Sequence, residues 1–221
     1  MDFTFDYGLG WEYRTFILKG IYETLRLTGC SLSLAILIGL FVGLGMSTKK
    51  NIIYTPLHIY VEIFRNTPPL VQIIWIYYCL PIFLGWELVA FTSGAIALGL
   101  GFGAYMGEVF RAGIQSVDEG EIEAARSLGM SHFQTMRKIT LPQAVRTMIP
   151  PFTNTAIALL KSTSLVSIFG VRELTYTART VATTTFKPIE MFTTIAIIYF
   201  LVCTLLSRTS KVIEKRLTQY R

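Results

Sequence analysis

Residues 123–142, EAARSLGMSHFQTMRKITLP, form a polar segment in the middle of a chain that is otherwise mostly apolar. The segment carries Arg126, Arg137 and Lys138, and it contains no apolar run long enough to cross a membrane. Long apolar stretches lie on both sides of it. Such a segment is either a solvated loop that happens to be helical or a rigid surface on which a soluble partner docks.

Helix-capping signals favour the rigid surface, because they predict two short helices at an angle. Asp118 with Glu121 three residues later has the spacing of a capping box, so a helix is predicted to start there. Gly129 is placed to adopt the left-handed conformation that ends this helix. Ser131 with Gln134 has the same capping-box spacing and is predicted to open the second helix.

Pro142 and a set of apolar side chains complete this segment, which we call the elbow (residues 118–142). Pro142 suits the first turn of the next membrane helix, where a missing N–H costs nothing. The elbow also presents small and apolar side chains beside its charges, namely Ala124, Ala125, Leu128, Met130, Phe133 and Met136. We therefore predict that the elbow is a docking surface.

The composition of the whole chain indicates an integral membrane protein. Of the 221 residues, 52% are hydrophobic and only 15% are charged, and the mean hydropathy is +0.51. These values are too apolar for a solvated globule. The net charge of +6 does not indicate nucleic-acid binding, since the basic residues lie at the ends of apolar runs and form no single basic face.

Five apolar stretches are each long enough, with slight extension, to cross a bilayer core that needs roughly 20 apolar residues. They are residues 27–46, 52–80 (interrupted by EIFRNTPP), 88–107, 147–171 and 191–207. Five crossings place the two termini on opposite sides of the membrane. The first twenty residues lack the basic start of a signal peptide, and their aromatic side chains predict a segment at the membrane interface, residues 1–20, ahead of a transmembrane domain, residues 21–221.

The distribution of Lys and Arg predicts the orientation, because cytoplasmic segments carry an excess of both. With the N-terminus outside, the inner segments hold twelve such residues and the outer segments hold five. The inner ones are Lys49, Lys50, Arg111, Arg126, Arg137, Lys138, Arg146, Arg208, Lys211, Lys215, Arg216 and Arg221, and the outer ones are Arg14, Lys19, Arg172, Arg179 and Lys187. The elbow and the C-terminus are therefore predicted to be cytoplasmic.

No catalytic, cofactor or metal site is predicted on this chain. It lacks the G-x-x-x-x-G-K-S/T loop that cradles phosphates, and neither of its two histidines has a nearby ligand or nucleophile partner. Gly99, Gly103 and Gly107 recur every four residues in an uncharged span, as Gly39 and Gly43 do in the first span. This spacing is typical of close helix packing.

Polar groups at membrane depth mark a candidate path for a solute. Pro68 and Pro69 break the second span beside Thr67, and broken helices are tolerated where they face protein or a wet cavity. Pro150 and Pro151 are expected to interrupt the fourth span near its inner end in the same way. It then carries Asn154, Lys161, Ser162 and Thr163, and an intramembrane lysine is a functional-site candidate by default.

Structural interpretations of the same residues stay open. Glu62 and Arg65 lie three residues apart on one helix face and can neutralise each other. Lys161 can equally be part of an internal ion pair with Glu62, and the hydroxyls can bond their own helix. We predict that Thr67, Pro68, Asn154, Lys161, Ser162 and Thr163 line one polar cavity.

The elbow resembles the cytoplasmic coupling motif of ABC importer permeases. The pattern Glu-Ala-Ala, three residues, Gly, nine residues, Ile-x-Leu-Pro is matched without a gap by Glu123, Ala124, Ala125, Gly129, Ile139, Leu141 and Pro142. Two other stretches, RNTPPLVQ (residues 65–72) and LLKSTSLVS (residues 159–167), are similar to signatures of the polar amino acid branch.

This resemblance implies a type I ABC importer permease fold, all-helical, with a coupling helix that fits a groove on an ATPase subunit. It assigns coupling to Glu123, Ala124, Ala125, Gly129 and Pro142. It also implies a cytoplasmic ATPase dimer, a second permease subunit (the same or a homologous chain) and an external solute-binding protein as partners.

The sequence therefore predicts a non-enzymatic, multi-pass subunit of a bacterial inner-membrane importer that moves polar amino acids at the expense of ATP hydrolysed by its partner. The cationic groups suggest an acidic substrate such as glutamate, although by resemblance permeases for neutral and cationic amino acids carry similar stretches. Thr155, the residue after Asn154, offers no carboxylate for a basic side chain, so a substrate of the glutamate, glutamine or aspartate kind is favoured over lysine or arginine. An amino-acid or small-solute channel without ATP coupling is the alternative, although it would need no docking elbow. A small membrane enzyme is disfavoured because no acid–base or metal constellation is present.

Overall fold

The computed structural model describes residues 8–48 and 50–218, and in these residues the chain is helical and contains no strand. The segments in that range are α1 (Leu9–Glu12), α2 (Arg14–Met46), α3 (Asn51–Arg65), α4 (Pro69–Tyr78), α5 (Leu80–Leu84), α6 (Ala90–Gln115), α7 (Glu119–Ser127), α8 (His132–Thr135), a π-helical turn (Met136–Thr140), α9 (Leu141–Ser162), a 3-10 segment (Thr163–Phe169), α10 (Leu174–Thr185) and α11 (Pro188–Thr218). Four of these helical stretches are long and apolar enough to cross a membrane, namely α2, α6, residues 132–169 and residues 188–212.

Three of the long helices run in one direction and the fourth runs in the opposite direction. Helices α2, α6 and α11 run from the end of the bundle that holds α10 to the end that holds the elbow, and α9 runs back. Pairs of contacting residues show these directions. Along α2 and α6 the pairs advance together, Gly39 with Met106 and then Gly43 with Phe110, so the two helices are parallel. Along α6 and α9 they advance in opposite senses, Gly94 with Val166 and Gly113 with Met148, while α11 begins beside Gly10 at Thr194 and ends beside Thr153 at Ser210.

Helices α3 to α5 together supply the remaining crossing. Residues 51–65 and 69–84 are apolar enough to cross as a pair, and they are bent by 105° at the break between them. Because α2 and α6 run in the same direction, the chain must return from one end of the bundle to the other between them. The predicted five-helix membrane fold, with the second span broken at its prolines, is confirmed.

The fourth span differs from the prediction. Pro150 and Pro151 were expected to interrupt it, but α9 continues through both. Membrane helices tolerate proline because each one removes a single N–H, and neighbouring groups satisfy the freed carbonyl. The helical path extends from His132 to Phe169, so the elbow and the fourth span share one rod.

Part of the predicted interfacial segment and two of the predicted inner charges, Lys49 and Arg221, lie outside the described residues. The residues outside are 1–7, 49 and 219–221. The interfacial segment was predicted over residues 1–20. Within it, the short helix α1 precedes the membrane span, whereas residues 14–20 already belong to α2. The first membrane helix is therefore longer than its uncharged core.

Glycines bring α2 and α6 into close contact, as their spacing predicts. A Cβ placed on Gly39, Gly43, Gly99, Gly103 or Gly107 would lie 2.4–2.8 Å from a side chain of the other helix. At Gly39 the nearest atoms include the backbone nitrogen of Gly107 at 3.0 Å, which cannot move aside independently. The small-residue packing of these two helices is confirmed.

Replacing Gly39 by valine should push α2 away from α6 and cost about 1–3 kcal/mol through overpacking. The measurement is the thermal unfolding midpoint of the purified complex in detergent. Gly29→Val is the matched control, because it lies on the same helix and a Cβ there meets nothing within 4 Å. Equal midpoints for the two variants would contradict the assignment of this contact.

Candidate functional site

The first elbow helix, α7, begins at the predicted cap but without the predicted capping box. The Asp118 carboxylate accepts a hydrogen bond from the N–H of Gly120 at 2.6 Å. Glu121 does not reach back to the cap, because its carboxylate instead accepts a hydrogen bond from the side-chain amide of Gln143. That bond ties α7 to the base of α9, which the sequence did not indicate.

Gly129 ends α7 in the left-handed conformation that the sequence predicts, with φ at +78°. Its N–H donates to Arg126 O at 2.9 Å, and the N–H of Met130 donates to Ala125 O at 3.1 Å. These two bonds form a Schellman motif, which pairs carbonyls that the helix end leaves free. The turn of the elbow is therefore fixed by backbone geometry that disfavours any residue with a Cβ.

The second capping box is present, but the helix that it opens does not end. Ser131 N–H donates to the Gln134 side chain at 2.9 Å, and Gln134 N–H donates to Ser131 Oγ at 3.3 Å. Helix α8 then passes through the π-helical turn into α9, so the helical path is continuous, and Pro142 lies in the first turn of α9 as predicted. Pro142 cannot donate to the carbonyl of Lys138, and the wider π-helical turn just before it is one way to relieve such a defect.

The elbow exposes both small and large apolar side chains. A cleft of ≈ 440 Å³ separates α7 from the base of α9 and is lined in part by Ala124, Ala125 and Pro142. Leu128 is 83% exposed and Phe133 is 71% exposed, on either side of the Gly129 turn. Of the predicted coupling residues, Glu123 and Ala124 are exposed and Ala125 is buried beneath them; Pro142 is also exposed.

The break in the second span is held by two side chains. Pro68 and Pro69 have no N–H, so the carbonyls of Phe64 and Arg65 lose their usual helical donors. Gln72 donates to Phe64 O at 2.7 Å, and also to Thr67 O at 3.0 Å and Thr67 Oγ1 at 2.8 Å. The Arg65 carbonyl accepts a hydrogen bond of 3.5 Å from the hydroxyl of Tyr105 on α6.

The predicted Glu62–Arg65 pair is wrong. Glu62 accepts a hydrogen bond from the Asn66 side chain at 2.7 Å. Arg65 instead approaches Glu108 of α6 at 4.0 Å, and Glu108 accepts from Arg111 at 2.7 Å. Sequence reasoning missed this acid because it ended the third span at residue 107, one position before Glu108.

One face of α9 carries the polar candidates. Pro151, Asn154, Ala158 and Lys161 follow each other at helical spacing and are exposed on the single subunit. Within the described residues, no acid lies within ion-pair distance of Lys161, so the proposed internal pair with Glu62 does not form.

The remaining candidates do not share that face. Thr163 is fully buried, and its hydroxyl donates to Leu160 O at 2.7 Å, so it does not face the same surface as Lys161. Ser162 is half-buried. Thr67 and Pro68 lie at the break, where Thr67 lines an apolar cleft of ≈ 390 Å³ between α3 and α4. The cleft does not include α9, so a single described subunit does not bring the two groups of candidates together.

Several hydroxyls of α9 serve the helix itself. Thr147 donates to Gln143 O, and Thr153 and Thr155 donate to carbonyls four residues before them. This local bonding was the structural interpretation left open for these side chains.

As for metals, the described residues contain no group of three or more His, Cys, Asp or Glu side chains that could hold an ion.

Comparisons with known proteins agree on one family. Residues 35–219 match the family described as binding-protein-dependent transport system inner membrane component. The L-cystine transport system permease protein TcyB of Bacillus subtilis is 39% identical over 202 residues, which cover 91% of this chain and 86% of that protein. The putative glutamine transport system permease protein GlnP of Rickettsia bellii is 35% identical over 202 residues, covering 91% and 93%.

A solved structure has the same fold. The crystal structure of an amino acid ABC transporter with histidines contains a chain that superposes with a TM-score of 0.89 at 36% identity, covering 97% of this chain and 100% of that one.

Proposed function

This chain belongs to the family of binding-protein-dependent transport system inner membrane components, as an amino-acid ABC transporter permease, and we propose that it translocates a polar amino acid inward across the bacterial inner membrane. The energy would come from ATP hydrolysed by a separate ATPase dimer that docks on the elbow. A second permease subunit and a solute-binding protein outside complete the proposed assembly.

One observation carries this proposal, namely the conformation of the elbow. A Schellman turn at Gly129 holds two exposed apolar side chains, Leu128 and Phe133, beside an open cleft. Exposed apolar groups rimmed by charge are typical of protein–protein contact sites. A channel that opens without ATP would have no use for such a surface, so the elbow favours the importer over the channel.

The continuous rod gives the elbow a mechanical role. Residues 132–169 form one helical path, so a partner that moves the elbow also moves α9 and the 3-10 segment. At about 1.5 Å per residue, this path spans roughly 57 Å, enough to join a cytoplasmic surface to the far half of the membrane. The proposed orientation places the N-terminus outside and the elbow and C-terminus in the cytoplasm, in accord with the distribution of Lys and Arg.

The substrate face is proposed to be the exposed stripe of α9. Asn154 and Lys161 present an amide and a cation at membrane depth, where an unpaired charge is costly unless it meets a ligand, water or a second subunit. In the assembled transporter this stripe would line the path, and Lys161 would bind a substrate carboxylate. The same cation and amide, with no exposed acid on the stripe, suit a substrate of the glutamate, glutamine or aspartate kind.

The coupling role predicts that Gly129→Val separates insertion from transport. A β-branched residue at φ +78° should cost about 1–2 kcal/mol locally and distort the docking turn. We expect a subunit that still inserts but no longer co-purifies with the ATPase or supports ATP-driven uptake in proteoliposomes.

Gly85→Val is the matched control, because Gly85 also has a positive φ, +68°, and open space around it, but lies in the loop after α5. The control should retain the ATPase. Normal uptake and normal ATPase co-purification in Gly129→Val would show that the elbow does not couple.

The substrate role predicts that Lys161→Met weakens uptake and leaves the complex stable. Losing a charge-assisted bond to a carboxylate should cost about 1.5–3 kcal/mol, or roughly tenfold to hundredfold in apparent affinity. The measurement is uptake of labelled glutamate, glutamine and lysine by the full complex in proteoliposomes, with the unfolding midpoint measured in parallel. Lys211→Met, at an exposed lysine near the end of α11, is the control for charge removal.

Two outcomes would count against this role. A Lys161→Met complex with a lowered midpoint and normal uptake per assembled complex would make Lys161 a structural residue. Normal uptake and a normal midpoint together would remove Lys161 from the site.

A further inference from the structure

Glu173 is a fully buried acid that the proposed path does not use. It lies between the left-handed Gly170, with φ +83°, and the start of α10, and its side chain has no exposed surface. Burial raises the pKa of this carboxyl above its ordinary value, although hydrogen bonds from neighbouring groups oppose the shift. A buried acid is costly, so its contacts need an explanation.

The carboxylate caps α10 and reaches beyond it. One oxygen, Oε1, accepts the N–H of Tyr176 at 2.7 Å, which is the bond of an N-cap. The other, Oε2, accepts the hydroxyl of Tyr199 on α11 at 2.9 Å. Helix N-caps are ordinarily Ser, Thr, Asp or Asn, which are too short to make both contacts. The longer glutamate therefore links two helices while it caps one.

Tyr199 extends this link to the end of α9 that carries Lys161. Its hydroxyl lies 3.4 Å from that of Thr175, and its side chain lines a small cavity together with Leu160, the residue before Lys161. The carbonyl of Leu160 accepts the hydroxyl of Thr163, which begins the 3-10 segment two residues beyond Lys161.

The start of α10 is also fixed to the first membrane helix. The N–H of Leu174 donates to Thr24 Oγ1 of α2 at 3.0 Å, and both residues are buried. Glu173 thus lies where α2, α10, α11 and the end of the α9 rod meet. A change of its contacts at this junction would alter the position of α10 relative to Lys161.

We propose that Glu173 is a positioning residue for transport, which fixes α10 against the end of α9 that carries Lys161 through its hydrogen bond to Tyr199. This inference rests on the proposed function, since Lys161 matters here only as part of the path. In this proposal, a movement of the outer helix α10 moves the substrate face of α9, because one buried carboxylate links the two.

The test compares Glu173→Gln and Tyr199→Phe with Tyr176→Phe in the assembled transporter. The glutamine keeps the size of the side chain but offers a single acceptor oxygen, and the phenylalanine at 199 loses only the hydroxyl. Tyr176→Phe keeps the backbone N–H that caps α10, so it is the matched control. We expect maximal uptake per assembled complex to fall roughly tenfold in the first two variants and to stay normal in the control.

A distance measurement makes the result independent of the substrate. Spin labels at positions 158 and 183, in a background without Cys30, Cys79 and Cys203, report how α10 sits relative to α9. The distance distribution should broaden or shift in Glu173→Gln and in Tyr199→Phe but not in Tyr176→Phe. If the wild-type complex takes up no amino acid, the proposed function fails, while the distance distribution still decides whether Glu173 positions α10.

Three results would overturn the proposal. An unchanged distance distribution in both variants would do so, whatever the uptake. A changed distribution with normal uptake per complex would show that the link has no role in transport. A lowered unfolding midpoint with uptake per assembled complex unchanged would leave Glu173 with a purely structural role.

Discussion

Every polar backbone group in the membrane part of this chain needs a partner inside the protein, because a bilayer core offers none. This constraint explains the break at Pro68 and Pro69, where the carbonyls of Phe64 and Arg65 lose their helical donors. Gln72 and Tyr105 replace those donors from outside the local helix. The carbonyls at the break therefore have partners and the bend has a defined angle, and the second crossing of the membrane depends on this break.

The same constraint keeps residues 132–169 helical, so this long helix connects the elbow mechanically to the substrate face. Its backbone follows one helical path from the elbow to the 3-10 segment, and only the N–H donors of Pro142, Pro150 and Pro151 are missing from it, so a movement of the elbow is passed along the helix. The only irregular parts of this rod are the π-helical turn before Pro142 and the 3-10 segment beyond Lys161. Both irregular parts lie next to a proposed functional surface, and each marks a place where the rod can change shape at small cost.

Short-range signals in the sequence predicted the parts of the structure that depend on local bonding. The five crossings, the left-handed Gly129, the Ser131 capping box and the packing of Gly39 against α6 all follow from periodicity or spacing. The failures are tertiary. Glu121 bonds Gln143 instead of its own helix end, and Arg65 turns to Glu108, since in both cases the partner comes from another part of the chain. The continuation of α9 through Pro150 and Pro151 also had no signal in the sequence. Neither the burial of Thr163 nor the junction at Glu173 had a local signal, because their partners lie on distant segments.

Coupling to a docked ATPase requires the elbow to lie on the cytoplasmic side of the membrane, since only the cytoplasm supplies ATP. Single cysteines at positions 131 and 183, in a background without the three native cysteines, report this with an impermeant thiol reagent on cells whose outer barrier is open and whose inner membrane is intact. The structure places these positions at opposite ends of the bundle. We predict labelling at 183 in intact cells and at 131 only after the inner membrane is permeabilised; labelling at 131 but not at 183 in intact cells would contradict the account.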